Sequence, residues 1–371
     1  MGNQEKNTET STFACTNCGA DLTFTPGTTE LQCQYCKTAN HIEESDEEIV
    51  ELDYHDFLVD QEDQSEHLTI NVVQCENCGA TSTLEANIQS ASCPYCTTPL
   101  IVEERHGESI IKPRSLLPFH LDAQEAMAQF ETWVKGLWFA PGALKQKEML
   151  MDKFKGVYLP FWTYDSDAYT SYVGQRGIYY YVTETYTTTE DGKTVTKTRQ
   201  VRKTRWYNVS GDVFNAFDDV LIPAAHSLPE KYVRELEPWD LENLKPFDQS
   251  YLSGFITEKY QRNLEEGFTE ARHVMETVIR KTVIKHIGGD RQRIRSMRPV
   301  YEDITFKHIL LPVFVSSYTF KDKLFQFVVN ARTGEVQGQR PWSWAKIGSA
   351  VLLVAGLIGG FIYYANLQYP M

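Results

Sequence analysis

The chain has 371 residues, a net charge of −14 and a hydrophobic content of 42%, enough for a buried core in two or three domains but too acidic overall for a nucleic-acid coat. The charge is uneven: residues 1–110 hold 21 Asp+Glu against 3 Lys+Arg, a balance of −18, while residues 111–371 hold 29 against 33, a balance of +4. All eight cysteines fall in two regular sets, which argues against a disulfide framework and for a reducing compartment.

Residues 1–12 are polar and read as a disordered N-terminus without a signal peptide; Lys6 breaks the myristoylation pattern that Gly2 would begin. Residues 13–40 carry Cys15-x2-Cys18-x14-Cys33-x2-Cys36, and residues 71–104 repeat it as Cys75-x2-Cys78-x14-Cys93-x2-Cys96, an offset of 60 throughout. Asn17-Cys18-Gly19-Ala20 recurs as Asn77-Cys78-Gly79-Ala80, and Tyr35-Cys36 as Tyr95-Cys96. Two thiolate pairs on tight turns supply the four sulfurs of a tetrahedral zinc site, and Gly19 and Gly79 allow the sharp backbone bend after each first pair. A thioredoxin-like redox motif needs a single C-x2-C beside a βαβ pattern, so two zinc ribbons, one Zn2+ in each, fit better. Such closed sites are structural, because no coordination position is left for water.

Between the ribbons, residues 41–70 contain twelve acidic residues and no Lys or Arg, with Leu52, Tyr54, Phe57 and Leu58 among them. The stretch reads as a solvated acidic linker, or else as an acidic-hydrophobic segment that docks on a basic surface. His41, His55 and His67 are too irregular to replace cysteine ligands.

Residues 110–338 read as an α+β domain. A helix begins at Asp122 with a capping box to Glu125, and a second is expected over Ala143–Lys155. Val157–Val173 has strand composition, and Asp191-Gly192 marks a hairpin that sets Glu190 opposite Lys193, Glu184 opposite Arg199 and Tyr181 opposite Arg202. Residues 208–250 read as short strands and turns. The longest helix follows through Tyr260, Leu264, Phe268, Ala271, Met275 and Val278, stops at Gly288-Gly289, and leads into a basic run that ends at Arg298. Ile309–Phe320 and Leu324–Asn330 form a second hairpin. Leu310-Leu311-Pro312-Val313-Phe314 echoes Tyr158-Leu159-Pro160-Phe161-Trp162, which points to two similar helix-then-strand units.

Residues 345–365 read as a transmembrane helix: Ile347–Ala365 holds no charge and spans ~28 Å as a helix. Trp342 and Trp344 precede it, Tyr363, Tyr364 and Tyr369 close it, and Arg332, Arg340 and Lys346 lie on its N-terminal side, so the main domains are expected in the cytoplasm. Gly356-x3-Gly360 offers a close-packing face for oligomers. No H-E-x2-H, G-x-S-x-G or Rossmann glycine pattern is present, and Gly192-Lys193-Thr194 sits at a hairpin tip rather than in a phosphate loop.

With these units the chain resembles a bacterial family of membrane proteins that carry two N-terminal zinc ribbons and one C-terminal membrane helix. The resemblance covers both cysteine sets and the stretches Gly156-Val-Tyr-Leu-Pro-Phe-Trp162, Phe217-Asp-Asp-Val-Leu-Ile-Pro223, Leu236-Glu-Pro-Trp-Asp-Leu241 and Gly338-Gln-Arg-Pro-Trp-Ser-Trp344. Such proteins often bear a primosomal-helicase-like label, although no helicase motor motif is present here. Some resemble companions of phage-shock protein A and of flotillin-like SPFH proteins, which implies a non-enzymatic membrane anchor in an envelope-stress assembly. The expected function is therefore a membrane-anchored adaptor for protein partners, against the alternative of a nucleic-acid-binding replication or transcription protein or an uncharacterised hydrolase.

Overall fold

The computed structural model describes residues 13–43, 45, 47–59, 67–83, 91–100, 106–139, 154–190, 192–320, 323–340 and 342–368. Residues 1–12, Asp191 and the helix expected over Ala143–Lys155 lie outside them, except that Lys155 opens a strand. The chain is an α+β protein with two N-terminal four-cysteine clusters, a large sheet with a long hairpin, and an apolar C-terminal helix.

Strands β1 (Leu22–Phe24), β2 (Glu30–Cys33) and β3 (Ala39–His41) form a small antiparallel sheet around the first cysteine set. Next come β4 (Leu52–Asp53), α1 (Tyr54–Val59), β5 (His67–Gln74), β6 (Thr81–Thr83), β7 (Ala91–Ser92), β8 (Pro99–Leu100), β9 (His106–Ile111) and β10 (Ser115–Leu116). The body holds α2 (Ala123–Gly136), β11 (Lys155–Glu190), β12 (Lys193–Pro223), α3 (Glu230–Arg234), β13 (Lys245–Pro246) and β14 (Ile256–Glu258). It ends in α4 (Leu264–Ile287), β15 (Arg291–Phe320), β16 (Lys323–Asn330), β17 (Val336–Gly338) and α5 (Trp344–Gln368).

The twelve-stranded sheet is organised on one antiparallel ladder, β11 against β15, that runs from Lys155↔Val315 to Gly177↔Arg291. The two echoed sequence stretches meet near its Lys155 end, with Tyr158 opposite Pro312, Leu159 opposite Leu311 and Pro160 opposite Leu310. Around that point β14 runs parallel to β11, β10 runs parallel to β15, and each long strand folds back as a hairpin, onto β12 and β16. The β11–β12 register pairs Glu190 with Lys193, Glu184 with Arg199 and Tyr181 with Arg202, the alignment that the Asp-Gly turn signal implies.

Helix α4 packs on one face of this ladder. Leu264, Phe268, Ala271, Met275, Ile279, Val283 and Ile287 are buried at intervals of three and four, the larger six each worth about 1.5–3 kcal/mol before chain entropy is subtracted. The Asn263 side chain accepts from the Glu266 amide and the Glu266 carboxylate accepts from the Asn263 amide, a capping box that sets the start; Gly288 at φ 65° ends the helix. Gly267 lies against Tyr164 and Trp162, where a Cβ would collide with both rings.

Two expectations need correction. Residues 208–223 are not short strands but the second half of one 31-residue strand, which stays paired with β11 through Phe161↔Pro223. The basic run Arg291–Arg298, which the pattern left without an element, is the start of β15, held by its pairing with β11. The segment after the first ribbon is not simply solvated: β4 pairs with Thr305 and Phe306, Tyr54 is buried against Tyr164 and Phe268, and Phe57 meets Phe306 edge-on. Glu51 accepts from Lys307 Nζ at 2.7 Å, so the described part of the segment docks on Lys307 and an aromatic surface.

Candidate metal centres

The first set begins where β1 is preceded by a tight turn. The Cys15 amide donates to Ala20 O and the Gly19 amide donates to Cys15 O, both at 2.8 Å, with Gly19 at φ 73°. The second turn repeats the geometry: Cys33 N to Thr38 O at 3.0 Å and Lys37 N to Cys33 O at 3.0 Å, with Lys37 at φ 61°. Sixty residues later the same four bonds recur through Cys75, Ala80, Gly79, Cys93, Thr98 and Thr97, with Gly79 at φ 75° and Thr97 at φ 63°. A turn of this kind points successive amides toward the sulfur side, which is why both halves fold locally around their ligands.

All eight cysteines identified from spacing come together in two groups of four, the sulfurs of each lying within 4.8 Å of one another. Cys15 and Cys36 sulfurs are 3.6 Å apart, and Cys18–Cys33, Cys75–Cys96 and Cys78–Cys93 are each 3.5 Å apart. These separations are too long for disulfides and match the edge of a tetrahedron with ~2.3 Å metal–sulfur bonds, about 3.8 Å. The acidities split within each set: the Thr38 hydroxyl and amide hold the Cys36 thiol at about 5, whereas the sulfurs of Cys36 and Cys33 push Cys18 up to about 12 against the Ala20 amide. Four sulfurs this close cannot all ionise alone, and a soft divalent cation removes that conflict.

The threonines are the ligand-supporting residues that spacing alone does not single out. Thr38 Oγ1 lies 3.1 Å from Cys36 Sγ and Thr98 Oγ1 lies 3.2 Å from Cys96 Sγ. Their signal is the repeat itself, since 38 and 98 share the 60-residue offset.

The two centres differ in what surrounds them. Tyr35 is 89% exposed, while its counterpart Tyr95 is fully buried and donates to Glu258 of β14. Glu258 also accepts from Ser227, and burial raises its carboxyl to about 7 despite both donors. The second set is built into the large sheet through β6 and β14, and Val73, Cys75, Cys93, Tyr95 and Leu100 join the core beneath Leu159 and Leu311. The first set keeps its own sheet and meets the body through two backbone bonds, Phe24 N to Ser253 O at 3.0 Å and Gly27 N to Phe119 O at 2.9 Å, and through side chains, with Phe24 edge-on to Tyr251.

A third group, Glu51, Asp165 and Asp219, converges from three distant positions. Lys307 Nζ sits among them, 2.7 Å from Glu51 and 2.9 Å from Asp219, so an ammonium already supplies the positive charge. Burial and the neighbouring Glu51 push Asp165 up to about 7.

Helix α5 contains a 21-residue apolar stretch, Trp344–Tyr364, with mean hydropathy 2.0 and none of it buried, long enough to cross a membrane.

Among known proteins the chain is similar to the uncharacterized protein YdjG of Bacillus subtilis (strain 168), 25% identical over 346 residues that cover 93% of this chain and 94% of that protein. No family model and no solved structure matches.

Proposed function

We propose that this chain is a membrane-anchored zinc-ribbon adaptor that presents its ribbons and sheet to protein partners at the cytoplasmic membrane face. The observation that carries the reading is the combination of two closed four-sulfur groups with an apolar helix that buries nothing in the protein. Zinc is the metal that four thiolates in a closed tetrahedral set select most commonly, and such a site shapes a surface rather than performing chemistry. Arg340 and Lys346 precede the helix and orient it with the main domains inside. Arg332 contributes less to that orientation, because its guanidinium is engaged by Asp240. The resemblance to companions of phage-shock protein A and SPFH proteins makes these the first partners to test, in an envelope-stress setting.

A second reading has its own observation. On the long hairpin, guanidinium groups lie over rings, Arg202 at 4.3 Å from the Tyr179 centroid and Arg293 at 3.9 Å from Trp206, a pairing that also suits single-stranded nucleic acid. The test is purification of the full chain from solubilised membranes, with metal analysis and capture of phage-shock protein A or an SPFH protein before and after nuclease treatment. Two zinc ions per chain and nuclease-resistant capture support the adaptor. No zinc, or capture lost to nuclease together with a salt-dependent shift of single-stranded DNA, replaces it with the nucleic-acid reading.

A further inference from the structure

The β12–β11–β15 ladder has one covered face and one open face. Helix α4 covers the side that carries Ala168, Tyr172, Val209, Val213, Ile294 and Met297. Around Leu159 and Leu311 the second ribbon and α3 cover the opposite side, but from Tyr169 to Gln175 it has no element on it among the described residues, yet it is not polar throughout. Tyr169, Phe214 and Val300 form a row across the three strands and are 49%, 51% and 55% exposed, and Val173 is 45% exposed four residues further along β11. Single exposed apolar groups are ordinary, but a contiguous row on a sheet marks a surface with an occupant.

Beyond Gly177 the ladder loses β15 and continues as a two-stranded ribbon to Glu190. The ribbon has two chemically distinct sides. One carries Tyr180, Tyr186, Lys197, Arg199, Lys203 and Arg205 with Glu184 as the acid, paired to Arg199 at 3.5 Å and Lys203 at 3.0 Å. The other continues the open face through Tyr179 and Tyr181 into a threonine lattice, Thr185 opposite Thr198, Thr187 opposite Thr196 and Thr189 opposite Thr194. An isolated two-stranded ribbon of this length is marginal in water and gains stability only when a face is covered.

Charge selects the occupant. At the inner end of the open face Asp167, Asp212 and Glu302 outnumber Arg298, a balance of −2; at the outer end Arg202, Arg291 and Arg293 outnumber Asp290, a balance of +2. Such a gradient complements itself when reversed. We propose that a second copy of this chain packs on the open face, the two sheets face to face and antiparallel about Gly174, so that the acidic end of each meets the basic end of the other. Three strands ~4.8 Å apart over about 11 residues and two strands over about four more, at ~3.3 Å each, offer roughly 650 Å² on each copy, or about 1,300 Å² in a symmetric pair, within the ~1,200–2,000 Å² of specific interfaces. The Lys- and Arg-bearing side of the ribbon cannot pair with itself in this way, and it stays outward.

The mass of the full chain in mild detergent, measured by light scattering, tests this. Wild type is expected to hold two chains per particle and Phe214→Glu with Val300→Glu one. Both positions are solvent-facing, so the variant keeps its core. Lys203→Glu with Arg205→Glu, and Gly356→Leu with Gly360→Leu in α5, are expected to stay at two. A single chain in wild type, two chains in the Phe214/Val300 variant, or separation by the α5 variant overturns the proposal. A mixing experiment guards against misfolding: Asp212→Lys with Glu302→Lys, and Arg202→Glu with Arg291→Glu, are each expected as single chains and to pair when combined. A mixture that stays single overturns the antiparallel arrangement.

Discussion

At the scale of single residues, burial decides charge in this protein. His308 lies wholly inside the sheet, its ring 4.9 Å from Trp162 and 5.5 Å from Tyr260, with Nδ1 2.7 Å from Ile111 O and no partner for Nε2 among the described residues. Burial lowers its pKa from 6.5 to about 4, so the ring is neutral in the folded state at pH 7. Because the unfolded state binds the proton more readily between these values, stability is present above pH 6.5 and falls as pH drops toward 4, by about 3 kcal/mol at most. His308→Gln should flatten that part of the pH–stability curve relative to wild type, read by denaturant melts from pH 7 to pH 4. An unchanged slope would show that groups other than His308 set the acid limit.

At the scale of elements, the two ribbons share a fold and differ in attachment. The second contributes β5 and β6 to the large sheet and seats Tyr95 on Glu258, whereas the first contributes no strand to that sheet. Loss of its metal should therefore reach the body. Cys78→Ser and Cys18→Ser are each expected to release one metal ion, but Cys78→Ser should lower the melting temperature of the main transition by about 5 °C or more beyond Cys18→Ser. Calorimetry with metal counting separates the two; equal shifts would mean that the first ribbon is coupled to the core just as tightly through Phe24 and Leu31.

For the whole molecule, the apolar helix and the hairpin lie at opposite ends of the ladder. The chain leaves the sheet at β17, where Gly338 pairs with Phe327 near the start of β11, and the hairpin tip lies 35 residues along that strand, on the order of 110 Å away if fully extended. A protein held at one end thus presents its aromatic and basic arm far from the tether. Deleting residues 342–371 is expected to move the protein to the soluble fraction, because the apolar stretch is the strongest bilayer anchor in the sequence. A truncated chain that still pellets after a salt wash would assign anchoring to another surface, with the arm the first to examine.

The sequence by itself determined the elements whose causes are local. Cysteine spacing, the Asp122–Glu125 and Gly288 helix signals, the Asp-Gly hairpin register and the apolar C-terminal run each depend on neighbours within a few dozen residues, and each appears in the structure. Only the tertiary structure decided what lies across the ladder. The pattern of residues 208–223 alternates weakly, because the open face carries Phe214 while the covered face carries Gly211 and Asn215, so it read as broken strands. Glu51 meets Lys307 across 256 positions, and Tyr95 is buried while the equivalent Tyr35 is exposed. The physical reason is that a repeat dictates its own turns but not the surface it lands on: the second ribbon met a sheet edge at β14, and the first met loops, at Ser253 and Phe119, without joining the large sheet.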